Sequence, residues 1–514
     1  MSARTRERFS FRDVISGASV ALVLIPQSVA YAELAGLPPQ VGLYAGAIPP
    51  IAAAFFASSP YLQTGPGAPT ALLTLGALLP LAARGTPEYI ALAALLALVV
   101  GITRALVGLF RAGKVAYLMS QPVLLGFTTG AATLIFCSQL PGALGMTDAP
   151  PAGVVQAAAW SLSHPGSWEL TSLILTALTV AIILGARRVS PLIPGVLIAS
   201  AAAIAFSVWT GYAGPVVGSV PTGLPSLSLN LPWTSLPLLV VPGVVIALVG
   251  FSEASSIART YATEERTPWD PNREFIGQGL ANVASAVSGG MPVGGSFARS
   301  TIARMSGART RWSGAVTGVL GLAFLPFAWI LEPLPRAVLA AIVMAAVASL
   351  VKFPALLGLW KHSKPQALVG YSTFALTLIL SPRVDQAVLL GVVLALGVHA
   401  WREMQPRINS WVEGDTLHIR PEGVLWFGSA PELEEDAFAL LERDDGTTRI
   451  VFHLGALGRI DYTGALGLKQ LQEDADRAGI PVEFVECPVH AERILRRVLG
   501  PETLEGALRR LPAD

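Results

Sequence analysis

Charge is what this chain has least of. Only 13% of its 514 residues are Asp, Glu, Lys or Arg, about half the ~25% usual in soluble domains. That scarcity excludes a water-soluble protein along most of its length. Cysteine is nearly absent too: Cys137 and Cys487 stand far apart and at no metal-ligand spacing, so neither a disulfide framework nor a thiolate metal site is expected. The six histidines, at 164, 362, 399, 418, 453 and 490, include no pair at ligand spacing. No nucleophile, metal set or carboxylate pair converges anywhere, so the chain reads as no enzyme, without catalytic or metal residues, a cofactor or a nucleic-acid partner. No signal-peptide cleavage pattern follows the first apolar run, which reads as a span that stays.

What the chain does have is apolar residues, 53% of the total. Its net charge of +1 hides a split: residues 1–401 hold 22 Lys and Arg against 13 Asp and Glu, and residues 402–514 hold 13 against 21. Two objects follow. One is a mildly basic membrane body over 1–401; the other is an acidic, soluble-looking cytoplasmic tail over 402–514.

Within the body, apolar runs long enough to span are readable near 12–32, 41–57, 87–110, 115–139, 168–186, 191–210, 236–258, 272–288, 312–331, 336–350, 366–381 and 385–401. Pro26-Gln27-Ser28 interrupts the first. Two further apolar pieces are too broken to be ordinary spans: one entered through Gly65-Pro66-Gly67-Ala68-Pro69-Thr70, the other through Gly289 to Ser300. Counting both as half-helices makes fourteen segments, an even number that puts both termini in the cytoplasm. Charge agrees with that topology. Arg4, Arg6, Arg8 and Arg12 precede the first span, and Lys and Arg crowd the loops expected inside. The outer segments 140–167 and 211–235 have none. Pro26 and Glu253, like Pro66 and Val293, are about 227 residues apart. Seven segments per half then give two inverted repeats, about 12–212 and 236–401, and paired interrupted segments point to a midplane substrate site.

The stretch from Gly289 to Ser300 carries the chemistry. Four glycines and a proline within seven residues cannot continue a helix, and broken backbone at membrane depth survives only where protein or a watery cavity covers it. Arg299 lies just inside the helix that restarts, so a guanidinium joins the positive helix end, which suits an anion. The alternative is a permanent ion pair with Glu253. Glu253 sits among small and apolar residues, where an acid suits proton loading and release or, equally, plain helix packing. Gln27 offers donor and acceptors beside Pro26 and leans toward substrate contact. Ser296 and Ser300 either bind the anion or cap the helix, and capping is preferred for Ser300.

In the tail, strands are expected over 416–420, 424–427, 449–454 and 481–485, and helices over 431–443, 463–478 and 490–498, a small α/β domain. Asp461 or Thr463 reads first as a helix cap.

Three ordered stretches carry a resemblance. Pro26-Gln27-Ser28-Val29-Ala30-Tyr31-Ala32-Glu33 through Gly42-Leu43-Tyr44 is similar to the first-span signature of the SulP (sulfate permease) anion transporters. Gly279-Leu280-Ala281-Asn282 through Ser313-Gly314 matches a second region, and the tail resembles the family's STAS domain, with Asp461-Tyr462-Thr463-Gly464 at its motif. The resemblance implies a core and a gate in an α-helical polytopic membrane protein. Short strands lead into facing half-helices whose N-termini hold the anion; here these starts fall at Gly67 and Ala68 and at Ser296, Phe297, Ala298 and Arg299. It also implies a homodimer and a STAS domain that influences transport or assembly. Asp461 and Thr463 are candidate regulatory residues, although Tyr462 stands where the Ser-Ser form of the motif has its first hydroxyl.

The expected function is secondary active transport of a small inorganic or organic anion by alternating access, in a plasma (bacterial inner) membrane. Proton-coupled symport of a small carboxylate or dicarboxylate is preferred, with Glu253 as proton carrier. The alternatives are sulfate or Na⁺-coupled bicarbonate transport within the family, a nucleobase-type permease, an anion channel, or a membrane-anchored scaffold working through STAS.

Overall fold

The computed structural model describes residues 9–146, 148, 151, 153–404, 407–443 and 446–501. Arg4, Arg6 and Arg8, expected to help set topology, lie outside them. The chain divides into two compact units, one ending at Val393 and the other beginning at Leu394.

The first unit is helical because its apolar runs can satisfy their backbone only internally. In order it comprises α1 (Phe11–Leu34), α2 (Pro39–Phe56), β1 (Thr64–Gly65), α3 (Ala68–Leu78), α4 (Pro87–Leu109), α5 (Gln121–Ala143), α6 (Val154–Ser163), α7 (Leu170–Val189) and α8 (Gly195–Thr210). After a long connection come α9 (Leu236–Glu264), α10 (Pro271–Val287), β2 (Gly294–Gly295), α11 (Phe297–Met305), α12 (Trp312–Phe324), α13 (Arg336–Val347), α14 (Phe353–His362), α15 (Lys364–Ile379) and α16 (Val384–Glu403), within which the boundary between the units falls. Eight helical stretches among the described residues are long and apolar enough to cross a membrane. A count of fourteen depends on adding α2, α3, α8, α10, α11 and α15, each 18 residues or fewer.

The break expected at Pro26 is absent: α1 runs through it without interruption. A proline removes one helix hydrogen bond, which packing can absorb. Here α2 lies hard against that stretch, so close that a Cβ on Gly42 would fall 2.0 Å from the Ser28 carbonyl oxygen. Two short helices, α6 and α14, also appear where the sequence reads as loop.

Both Gly/Pro breaks are real, and they meet. β1 and β2 pair antiparallel, Thr64 opposite Gly295 and Gly65 opposite Gly294. Each strand feeds a short helix, α3 of 11 residues and α11 of 9. An antiparallel ribbon delivers the two helix starts to one place from opposite directions.

Beyond the end of α16, the described residues of the second unit form a mixed sheet with three helices. β3 (Arg407–Glu413), β4 (Thr416–Leu425), β5 (Arg449–His453) and β7 (Val482–Val485) lie in that order, and β6 (Leu457–Ile460) pairs with β4. Only β3–β4 is antiparallel. Leu417, Ile419, Phe452 and Phe484 of the sheet pack with Leu433, Leu468 and Leu495 of α17 (Ala430–Arg443), α18 (Tyr462–Arg477) and α19 (Val489–Leu499). Two expected strands, 416–420 and 424–427, are one: β4 pairs with β5 first and then with β6, shifting register at Gly423. The change of partner makes one strand look like two in sequence.

Candidate functional site

The ribbon exists because polar side chains replace the hydrogen bonds that its glycines and proline forgo. Asn282, fully buried on α10, pairs with the Val293 peptide: Val293 N donates to Oδ1 at 2.9 Å and Nδ2 donates to Val293 O at 3.0 Å. Ser285 Oγ donates to Met291 O at 2.6 Å. On the other strand, Gln278 Nε2 donates to Thr64 Oγ1 at 2.7 Å, and Gln63 N donates to Ser300 Oγ at 3.0 Å. Ser300, expected as a cap, therefore ties one broken segment to the other. Ser296 N donates to Gln63 O at 3.2 Å, extending the junction by one bond.

Neither residue entering the short helices, Gly67 for α3 or Ser296 for α11, caps its helix with a side chain. The first N–H groups of a helix have no intrahelical partner, and they carry the positive end of its dipole. The two starts look onto a cavity of about 360 Å³ walled by Pro69 and Thr70 of α3, Gly250 and Glu253 of α9, Phe297 of α11 and the beginning of α5. The Glu253 carboxylate faces the Phe297 N–H. A second cavity of about 350 Å³ lies at the far end of α3, against Leu75 and Leu79, with Glu33, Arg84 and Arg336 on its wall. Glu33 is exposed there and pairs with Arg336 at 3.5 Å.

Of the expected substrate residues, Phe297 lines the first cavity, as does the proton-coupling candidate Glu253. Ala298 is exposed, Gly67 and Ser296 are half-buried, and Ala68 is buried one residue before the cavity wall. Arg299 and Gln27 are elsewhere: Arg299 is 0% exposed and Gln27 2%. Arg299 Nη1 donates to Gln27 Oε1 at 3.4 Å, while Nε and Nη2 have no partner among the described residues. This guanidinium is turned behind the helix start, against β1 and α1, rather than into the cavity. The alternative Glu253–Arg299 ion pair is not formed. Ion pairs formed elsewhere in the first unit include Arg304 with Glu264 and Glu265, Arg336 with Glu33, and Arg383 with Asp385.

Sequence reasoning missed Arg104. It is 0% exposed on α4, with Nε donating to Ala247 O at 3.0 Å, Nη1 to Val293 O at 2.8 Å and Nη2 to Ile246 O at 3.3 Å. It clamps α9 to the strand entering α11. The signal was its charge inside the apolar run 87–110, since an ionisable residue within a span is a functional candidate by default. Asn282, Gln63 and Gln278 gave weaker signals, being polar residues near the breaks.

In the second unit Asp461 is a helix cap, its Oδ1 accepting from Gly464 N at 2.8 Å, and Thr463 is exposed on the first turn of α18.

A helical body organised on two broken segments that share a two-stranded ribbon, joined to a small α/β unit, defines a multi-pass membrane protein of the broken-helix type. Residues 11–373 match the Sulfate permease family and residues 407–499 the STAS domain. The chain belongs to the sulfate permease family. It is 31% identical over 420 residues to the chloroplastic sulfate transporter 4.1 of Arabidopsis thaliana, a match covering 79% of this chain and 61% of that protein. It thus spans less than two thirds of that relative's length. A probable sulfate transporter of Mycobacterium tuberculosis is 29% identical over 497 residues, covering 91% and 88%. These relatives are named as transporters. Among solved structures, murine Solute Carrier 26 family member A9 in the inward-facing state superposes with a TM-score of 0.88 at 18% identity, covering 99% of this chain and 90% of that one. The transmembrane domain of a cyanobacterium bicarbonate transporter, BicA, gives 0.64 at 24%, covering 76% and 99%. These two likenesses concern the fold.

Proposed function

We propose that this protein is a secondary transporter that carries a small anion by alternating access, holding it in the cavity between the starts of α3 and α11. The observation that carries the reading is the pair of helix N-termini brought face to face by β1 and β2, without side-chain caps from Gly67 or Ser296. Oriented N–H groups and two converging dipoles favour negative charge, and a low-dielectric surrounding strengthens them. Arg299 acts from behind: a buried guanidinium with two unpartnered nitrogens adds positive potential to the site without touching the ligand. Gln27 orients that guanidinium.

Cavities at both ends of α3 support alternating access. The cavity at the helix starts also has Arg259 and Lys352 on its wall. Positive-inside asymmetry assigns those residues to the cytoplasm, so this reading makes the conformation inward-facing. It also retains fourteen segments in two inverted repeats, 12–212 and 236–401, both termini in the cytoplasm of a bacterial inner membrane, a tail domain over 402–514, and a homodimer.

Sulfate is the first substrate to test, because the relatives are named for it. Proton coupling is the finer reading, and the position of Glu253 favours it. Its carboxylate faces the Phe297 N–H that the anion needs, so protonation weakens its hold on that donor as the anion arrives. A small carboxylate or dicarboxylate fits the same exchange. The test is uptake into proteoliposomes of labelled sulfate, bicarbonate, nitrate and succinate, at two external pH values, with and without Na⁺. Saturable, gradient-driven accumulation is expected, and Arg299→Ala reduces it to the level of empty liposomes while remaining monodisperse. Conductance without accumulation, or wild-type uptake by Arg299→Ala, overturns the reading.

A further inference from the structure

We propose that Arg104 determines charge selectivity, as a second permanent positive charge directly behind the cavity wall that weights the site toward divalent over monovalent anions. This rests on the anion occupying the cavity at the α3 and α11 starts. Three observations on the molecule carry it.

Arg104 is completely buried, and each of its hydrogen-bond partners is a neutral backbone carbonyl, those of Ile246, Ala247 and Val293. Carbonyls satisfy its donors but leave its net charge, because a dipole's field falls off faster with distance than a charge's. A guanidinium keeps its proton in proteins, and burying it away from every carboxylate is expensive unless an anion completes the balance.

The second observation is proximity. A Cβ on Gly250 would lie 2.5 Å from Arg104 Nη2 and 3.7 Å from Thr70 Oγ1. Gly250 and Thr70 both form the cavity wall. The guanidinium is therefore separated from the cavity by one glycine backbone, and only glycine leaves room for it there.

The third is charge balance. Arg104 on α4 and Arg299 on α11 flank the helix starts from different sides, neither in an ion pair, and Glu253 is the one acid on the cavity wall among the described residues. Arg259 and Lys352, also on the wall, are exposed and their charges are screened by water; setting them aside, the three sum to +1 with Glu253 ionised and +2 with it protonated. A dianion arriving with one proton neutralises the second state; a monovalent anion leaves a buried charge uncompensated. At an effective dielectric near 20, one unit charge about 10 Å away weights an additional negative charge roughly tenfold.

A purely structural Arg104, clamping Val293, makes a different prediction, since its loss would lower transport of every anion alike. The test is the ratio of kcat/KM for sulfate over nitrate in proteoliposomes of the full chain. The wild-type ratio exceeds one, Arg104→Gln lowers it about tenfold, and Arg104→Lys, which keeps the charge, holds it within about threefold of wild type. If Arg104→Gln does not fold, Arg104→His replaces it, and its ratio falls as pH rises through imidazole deprotonation while the wild-type ratio does not follow. An unchanged ratio in Arg104→Gln, equal loss of both anions, or a pH-independent ratio in Arg104→His overturns the inference alone. So does a wild-type ratio at or below one, whatever the variants do. A wild type without saturable uptake of either anion overturns the transport reading and this inference with it.

Discussion

Asn282→Ala tests whether the ribbon is held by its side-chain supports or holds itself. Asn282 is fully buried, and its amide does the work of a neighbouring strand for the Val293 peptide, one bond in each direction. Truncation leaves Val293 O with Arg104, its other donor, but removes the Asn282 acceptor from Val293 N–H. A buried donor left without a partner costs about 1–3 kcal/mol. Water reaches a fully buried peptide poorly, so the upper part of that range applies, about 2–3 kcal/mol. Val293 immediately precedes β2, and β2 aims α11. A shift of about 1 Å at a positioned group is enough to reduce turnover by about a hundredfold. Ser285→Ala is the milder comparison, removing one donor from the Met291 carbonyl. Melting in detergent by fluorescence-detected size exclusion should fall by several degrees for Asn282→Ala and by less for Ser285→Ala, with anion uptake falling in the same order. If Asn282→Ala melts and transports as wild type does, glycine-rich backbone pairing alone sustains the ribbon and this account of the site is wrong.

Two other outcomes follow from particular residues. Glu253→Gln keeps the shape of the cavity wall but cannot exchange a proton, so uptake should persist and lose its stimulation by an acidic exterior; a full pH response in the variant would reject proton coupling through Glu253. In the second unit, burial pushes the Cys487 thiol up to about 11, with the Glu492 carboxylate adding to the effect and Arg496 opposing it. Because the thiolate is the reactive form, iodoacetamide at pH 8 should label Cys487 at least about a hundredfold more slowly in the folded protein than in the unfolded chain. A thiol whose folded value is raised stabilises the fold fully below its ordinary value near 9, and that contribution is lost as pH rises from 9 toward 11. Rapid native-state labelling would show that the α19 packing is open.

The two Gly/Pro breaks were legible because no helix continues through them, whatever surrounds it. The helices of the second unit were legible for a similar local reason, their apolar spacing. β3 was missed because its side chains are mostly exposed, so no alternation marks it, and β6 because it is only four residues long. Arg299 was legible as a buried cation; which way it faces was not, since that depends on Gln27, 272 residues away in sequence. Arg104 carried a signal in its own charge, but its purpose lies in Gly250 and Val293, 146 and 189 residues further on.

By itself, then, the sequence determined that the chain has a membrane body, where its two Gly/Pro breaks fall and which residue types stand at them, because these follow from hydropathy and from the backbone limits of glycine and proline; it did not determine that α1 continues through Pro26. Tertiary structure alone decided that the two breaks pair, that their helix starts share one cavity, and that both buried guanidinium groups stand behind its wall. Those are statements about distance between residues remote in the chain, and distance is set by how α1, α4, α9 and α10 pack around the ribbon rather than by any local preference.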